Sequence, residues 1–256
     1  MINLPFLISI PHGGTEVPPE ILDDVCIAPQ DLFDDSDAFT QEIFNVEDIV
    51  VCQVVTPIAR AFVDVSRSMD KKPPEFSDGL IKSATCYNKP IYKTGRQPGK
   101  KLVNLLIEEY YKPYHEELNK QIQNKRIVIG LDCHSMAEDA PEISPDKGQK
   151  RPLMNLGDAE GMACSPVFTK LLRKRFLDVF GFPESEVTIN NPFKGGYITR
   201  KFGNNPKPWI QIELNRKLYL DDKYFKKEKL TMKSNRLQEL NEKFRDVLFL
   251  FSRDIK

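Results

Sequence analysis

Phe6-Leu7-Ile8-Ser9-Ile10-Pro11-His12, followed at once by Gly13-Gly14, decides how the rest of the chain is read. A short apolar, β-branched run of this kind is a buried strand. Pro11 stops it, and the glycine pair lets the backbone turn sharply, so His12 stands where the strand leaves its sheet. In open α/β sheets, sites form at the carboxyl ends of strands. A lone histidine there more often caps a turn. The balance shifts because a second β-branched run, Arg126 to Leu131, delivers Asp132-Cys133-His134-Ser135. The third and last histidine, His115, follows Pro113-Tyr114 inside a helical pattern and reads as a packing residue or a support for a ligand.

The 256 residues suffice for one large α/β domain or two small ones. No repeat, low-complexity tract or flexible linker divides them, so a single domain over 1–256 is expected. Thirty-seven basic and thirty-seven acidic residues cancel, which argues against a nucleic-acid or anionic-membrane partner held by bulk charge. No apolar stretch is long enough to span a bilayer, and the N-terminus lacks the marks of a signal peptide. Five scattered cysteines without a C-x-x-C spacing read as reduced thiols, hence a cytoplasmic protein.

Ala38 to Phe44 is expected to be a short helix capped by Ser36 or Asp37. Ile49 to Val55 is a second strand, and Ala61 to Val65 a third. Met69 to Gln97 is rich in Pro, Lys, Asp and Gly and reads as a long surface loop, a possible lid. Leu102 to Lys125 is helical, kinked at Pro113. Residues 136–163 form a loop, and Ser165-Pro166 starts a helix that ends at Gly181. Val187 to Asn190 is a strand, Phe193 to Gly203 a loop, Trp209 to Leu214 a strand, and an amphipathic helix closes the chain. Strands alternating with helices predict a three-layer α/β/α sandwich on a mostly parallel, mixed sheet.

The strand ends collect His12, Asp37, Asp64, Arg67, Asp132, His134 and Glu213. Two imidazoles and a carboxylate are what a catalytic zinc needs, with one position left for water. Asp132 and His134 are two apart on a strand and point the same way, so Asp132 is placed to orient that ring. Glu213, on a buried strand, is costly to desolvate without a partner or a task. It is a candidate general base, and the plainer reading is a salt bridge to an arginine such as Arg216. Arg67 and Arg200 are candidates for holding a substrate carboxylate, because guanidinium matches it with two parallel hydrogen bonds. Cys133 adjoins His134 but points to the opposite face, which weakens a cysteine amidase reading.

Taken in order, Ser9-Ile10-Pro11-His12-Gly13-Gly14, Ser36-Asp37-Ala38-Phe39, Asp64-Val65-Ser66-Arg67, Lys112-Pro113-Tyr114-His115, Asp132-Cys133-His134-Ser135, Gly195-Gly196-Tyr197-Ile198-Thr199-Arg200 and Gln211-Ile212-Glu213-Leu214 resemble the motifs of N-formylglutamate amidohydrolases. The resemblance runs from about residue 6 to residue 220. It implies a phosphorylase/hydrolase-like fold, distantly similar to zinc carboxypeptidases and aspartoacylases, and hydrolysis of an N-formyl or N-acyl amino acid such as N-formyl-L-glutamate. By the same resemblance Zn2+ is held by His12, His134 and Asp37, with Asp35 the second choice for the acidic ligand. Glu213 is then the catalytic carboxylate, and Arg67 and Arg200 face the substrate. Two positions depart from the pattern: Thr15 stands where carboxypeptidase-like sites have a glutamate ligand, and Ser66 replaces an asparagine beside Arg67. The alternative is an inactive binding protein for a carboxylate-bearing small molecule.

Overall fold

Strand β1, Leu4–Ile10, alternates its side chains between two apolar layers. Leu4, Phe6, Ile8 and Ile10 enter one core and Leu7 the other, as the two-residue period of a strand requires. β1 is the second strand of a six-stranded sheet. The computed structural model describes residues 3–71 and 78–255. Within them β2 is Val50–Val55, β3 Ile129–Met136, β4 Met154–Gly157, β5 Val187–Ile189 and β6 Trp209–Asn215. The order across the sheet is β2-β1-β3-β6-β4-β5, parallel throughout except where β4 runs antiparallel to β6.

The helices are α1 (Pro29–Asp35), α2 (Thr40–Ile43), α3 (Lys100–Leu106), α4 (Lys112–Gln121), α5 (Pro166–Phe180), α6 (Tyr197–Phe202), α7 (Lys217–Leu220) and α8 (Arg236–Asp254). α2, α5 and α8 cover one face, where Phe44, Phe176, Phe244 and Phe251 meet the β1 core. α3, α4 and α6 cover the other, with Leu106, Leu118, Ile198 and Phe202 packed around Trp209. Trp209 lies across Gly130, where an added Cβ would come within 2.3 Å of the indole. This is a three-layer α/β fold on a mixed, mostly parallel sheet. Among the described residues, no helix is long and apolar enough to cross a membrane.

Several local expectations change. Ala61, Phe62 and Val63 are buried, but in successive turns rather than a strand, with Phe62 and Val63 both donating to the Ala59 carbonyl. A short apolar run signals burial without fixing conformation. Neither Ser36 nor Asp37 caps α2. Ser36 Oγ donates to the Phe33 carbonyl at the end of α1, and the Asp37 carboxylate turns inward. The stretch from 69 to 97 is irregular, as expected, yet Leu80, Ile81 and Ile91 are buried in the α3/α4 core instead of riding on the surface, and Lys82 is buried against Asp35, Asp64 and Asp78. The middle of the expected lid, 72–77, lies outside the described residues.

Pro113 does not break its helix. A π turn over Ile107–Tyr111 joins α3 to α4 and brings the Lys112 N–H onto the Ile107 carbonyl, absorbing the register change just before the proline. The expected loops at 136–163 and 193–203 contain β4 and α6. Ser165 does cap α5, accepting from the Val167 N–H, and Gly181 ends it at φ +70°. Val187–Ile189 and Trp209–Asn215 match their expected strands to within a residue.

Candidate active site

The chain runs from β1 to β2 on one side and then crosses to β3 on the other, so a crevice opens at the carboxyl ends of β1 and β3. His12 leaves β1 at that point. β3 extends further than its sequence suggested, to Met136, so Asp132 and His134 lie inside the strand and face the α3/α4/α6 side. On the neighbouring β6, Gln211 sits beside Asp132 and Glu213 beside His134. Ser9 flanks Asp132 on β1, and Asn155 flanks Glu213 on β4. A polar band therefore crosses one face of the sheet.

Asp37 reaches the band from the segment between α1 and α2, where its backbone N–H donates to the His12 carbonyl. Its Oδ2 lies 3.4 Å from His12 Nδ1 and 3.2 Å from His134 Nδ1, and the two Nδ1 atoms are 3.1 Å apart. All three residues are buried. Two imidazole lone pairs at that distance repel unless a proton or a cation sits between them. Ligands about 2.0–2.1 Å from a tetrahedral zinc stand roughly 3.3 Å from one another. The three separations match that edge length, so His12, Asp37 and His134 form a cluster able to hold a metal ion.

Each of these groups is held from behind. His12 Nε2 donates to Asp64 Oδ1 at 2.7 Å, which leaves Nδ1 as the free lone pair. Asp64 also accepts from the Ser66 N–H and from Arg60 Nη2, at 3.0 and 3.1 Å. Arg216 Nη2 donates to Asp37 Oδ1 at 3.1 Å, and the Ser135 N–H donates to Asp37 Oδ2 at 3.1 Å. Asp132 lies 3.3 Å from His134 Nε2, at an angle too poor for a hydrogen bond. Asp132 itself accepts from Ser9 Oγ and Thr199 Oγ1 at 2.9 and 3.1 Å, and Tyr114 OH in turn donates to Ser9.

Burial alone would raise the Asp37 carboxyl, but His12, His134 and Arg216 outweigh it and hold it well below the usual range. For Asp64, His12, Arg67 and Arg60 likewise overcome burial. Burial disfavours a charge on His134, yet Asp132, Asp37 and Glu213 prevail and lift its pKa well above that of a free imidazole. A field that draws a proton this strongly also draws a metal cation. Glu213 behaves differently: burial, reinforced by Asp37 and Asp132 against His134 and Arg151, pushes its carboxyl up to about 7. A carboxyl poised near neutrality suits proton transfer.

The cleft above this group has a volume of about 230 Å³. The family model of N-formylglutamate amidohydrolases matches residues 4–220. The chain belongs to that family. N-formylglutamate deformylase of Pseudomonas putida is 27% identical over 229 residues, 86% of this chain and 83% of that protein. The Pseudomonas aeruginosa protein of the same name is 25% identical over 86% of this chain and 84% of its own. The crystal structure of N-formylglutamate amidohydrolase from Ralstonia eutropha JMP134 superposes with a TM-score of 0.80 at 24% identity, covering 100% of this chain and 94% of that one.

The other expected residues divide. Arg67 lines the cleft, with Nη2 donating to Asp78 Oδ2 at 2.9 Å. Arg200 is exposed on α6, gives its Nε to the Gly195 carbonyl at 2.8 Å, and is not among the described residues lining the cleft. The expectation that it faces the substrate is corrected: α6 turns it outward, while Ile198 and Thr199 occupy the buried side. Asp35 lines the same cleft but pairs with Lys82 at 3.3 Å, accepts from the Cys86 N–H and is not part of the His12–Asp37–His134 cluster. Arg216 pairs with Asp37, not with Glu213. Cys133 is buried in the α5/α8 core with its thiol pushed well up by burial, so the amidase reading that used it fails. His115 is a packing residue: Nε2 donates to the Val65 carbonyl and Nδ1 accepts from Lys201 Nζ.

Sequence reasoning missed Arg60 and Arg151. Arg60 spans Asp64 and Asp37. Arg151, nearly buried, lines the cleft with a two-pronged grip on Asp146 and its guanidinium 4.7 Å from the Phe193 ring centre. Neither sits at a strand end, the signal that found the others.

Proposed function

We propose that this protein is a zinc-dependent amidohydrolase that cleaves the C–N bond of an N-formyl or N-acyl amino acid, N-formyl-L-glutamate foremost. The observation that carries the reading is the convergence of His12 Nδ1, His134 Nδ1 and Asp37 Oδ2 within 3.1–3.4 Å of one another, beside the buried Glu213. The substrate is named from the family and from the curated deformylases, which carry it in their names.

His12, His134 and Asp37 hold the zinc. When bound, zinc supplies Lewis acidity, polarising the substrate carbonyl and making water a better nucleophile near neutral pH. Glu213 takes a proton from the attacking water and passes it to the departing nitrogen, which its near-neutral titration permits in both directions. Asp64 fixes the tautomer of His12, so the lone pair at Nδ1 is always the one presented. Arg67 receives the substrate carboxylate in exchange for Asp78, its present partner at the edge of the cleft. Tyr87 and Ile143, both exposed, flank the mouth.

The test is metal analysis of the purified protein, then release of glutamate from N-formylglutamate with and without a chelator. About one zinc per chain, with activity lost to the chelator and restored by zinc, is expected. Full activity in metal-free protein would overturn the reading.

A further inference from the structure

Arg151 lines the cleft with one end of its guanidinium unspent. It stands just before β4 and is 8% exposed. Nε and Nη2 grip Asp146 at 2.9 and 3.0 Å, and Nη2 also donates to Ser144 Oγ at 3.2 Å. That grip uses one edge of a rigid planar fork, so Nη1 points the other way. Nη1 has no hydrogen-bond partner among the described residues, and it is not one of their enclosed, unpaired polar atoms. Phe193 flanks the guanidinium, and the Arg151 carbonyl accepts from Asn215 Nδ2 at 3.1 Å, so the residue is held at both ends. Its charge reaches the reaction centre: burial raises the Glu213 carboxyl, and His134 and Arg151 oppose the rise. The other cations of the cleft are committed. Arg60 and Arg216 are tied to Asp64 and Asp37, Lys194 pairs with Glu160, and Arg67 is assigned one substrate carboxylate above. Arg67 approaches from the Asp64 side, and Arg151 from the β4–β6 side that carries Glu213.

We infer that Arg151 Nη1 binds a second carboxylate, the one on the substrate's side chain, and so makes the enzyme selective for N-acyl derivatives of acidic amino acids. The inference deepens the amidohydrolase reading above and rests on it. A charged donor largely withdrawn from water gains most from an anionic partner. A dicarboxylate is then fixed at two points, which settles the orientation of its acyl–nitrogen bond. An N-acyl amino acid with a neutral side chain is tethered once.

The experiment compares kcat/KM for N-formyl-L-glutamate and N-formyl-L-glutamine, which differ in side-chain charge and hardly in shape, in zinc-loaded wild type, Arg151→Met and Asp146→Asn. Wild type is expected to prefer the glutamate substrate roughly tenfold, mostly through KM, and Arg151→Met to bring the ratio near one. Losing Arg151 also shifts Glu213, but that acts on both substrates alike and cancels in the ratio. Asp146→Asn removes the competing anion while keeping an acceptor for the grip, so the preference is expected to rise. It decides the matter should the Met variant not fold, since a preference that falls or stays counts against the inference. An unchanged ratio in folded, zinc-loaded Arg151→Met, or a wild type that takes both substrates equally, overturns the inference and leaves the amidohydrolase reading standing. If neither substrate is hydrolysed, the amidohydrolase reading falls. The subsite then stands or falls on whether calorimetry finds L-glutamate bound more tightly than L-glutamine by wild type and not by Arg151→Met.

Discussion

Replacing His115 by glutamine should alter the acid sensitivity of the fold by a calculable amount. His115 is buried among Tyr111, Tyr114, Tyr197 and Phe202, with Lys201 Nζ 3.2 Å from Nδ1. Burial first and Lys201 second push its pKa down from 6.5 to about 4. Between those values the unfolded chain binds a proton that the folded chain refuses, so this residue makes stability fall as pH drops below about 6.5. At pH 5 the unfolded imidazole lies about 1.5 units above the ambient pH, which at 1.36 kcal/mol per unit is roughly 2 kcal/mol lost relative to pH 7. Glutamine still donates to the Val65 carbonyl but does not titrate. Denaturant unfolding of wild type and His115→Gln at pH 7 and pH 5 should therefore show the wild-type advantage shrinking by about 2 kcal/mol. Other titrating groups cancel in that difference. A wild-type-minus-variant gap that stays constant from pH 7 to pH 5 would refute the reasoning.

Glu213→Gln should lower kcat roughly 10²–10⁴-fold, with zinc content unchanged by metal analysis, because the proton carrier is lost and the ligands are kept. Asp64→Asn removes the anion behind His12 and should weaken zinc binding roughly ten- to a hundredfold in a chelator competition; unaltered affinity would deny Asp64 its role. Gly157→Ala puts a Cβ 2.6 Å from the Gly195 nitrogen, which should cost about 1–3 kcal/mol in chemical denaturation as the Lys194–Gly195 backbone is forced off the sheet.

The strands and the histidines they deliver to the cleft were legible because each announces itself locally. An apolar, β-branched run followed by His12, or leading into Asp132-Cys133-His134-Ser135, carries both the strand and the residue that matters at its end. Asp37 was one of several acidic candidates and was singled out as the ligand only through motif resemblance, since its segment meets the histidines by a backbone contact with His12 that no periodicity records. Arg200 sat in a similar motif and misled, because a six-residue helix too short to read from sequence decides which way it points. Ala61 to Val65 had the composition of a strand without strand neighbours to pair with. Long-range partnerships such as Arg60 with Asp37, or Arg216 with Asp37 across 179 residues, leave no mark on the local pattern.

His12, Asp37 and His134 come from widely spaced parts of the chain and meet only when β1 and β3 are paired and the α1–α2 segment is docked. A random coil cannot reproduce that convergence, so a cation held there binds the native state almost exclusively. If zinc is that cation, as proposed, every tenfold rise in its free concentration above the dissociation constant would add about 1.4 kcal/mol to the unfolding free energy. The melting temperature would then become a gauge of zinc supply.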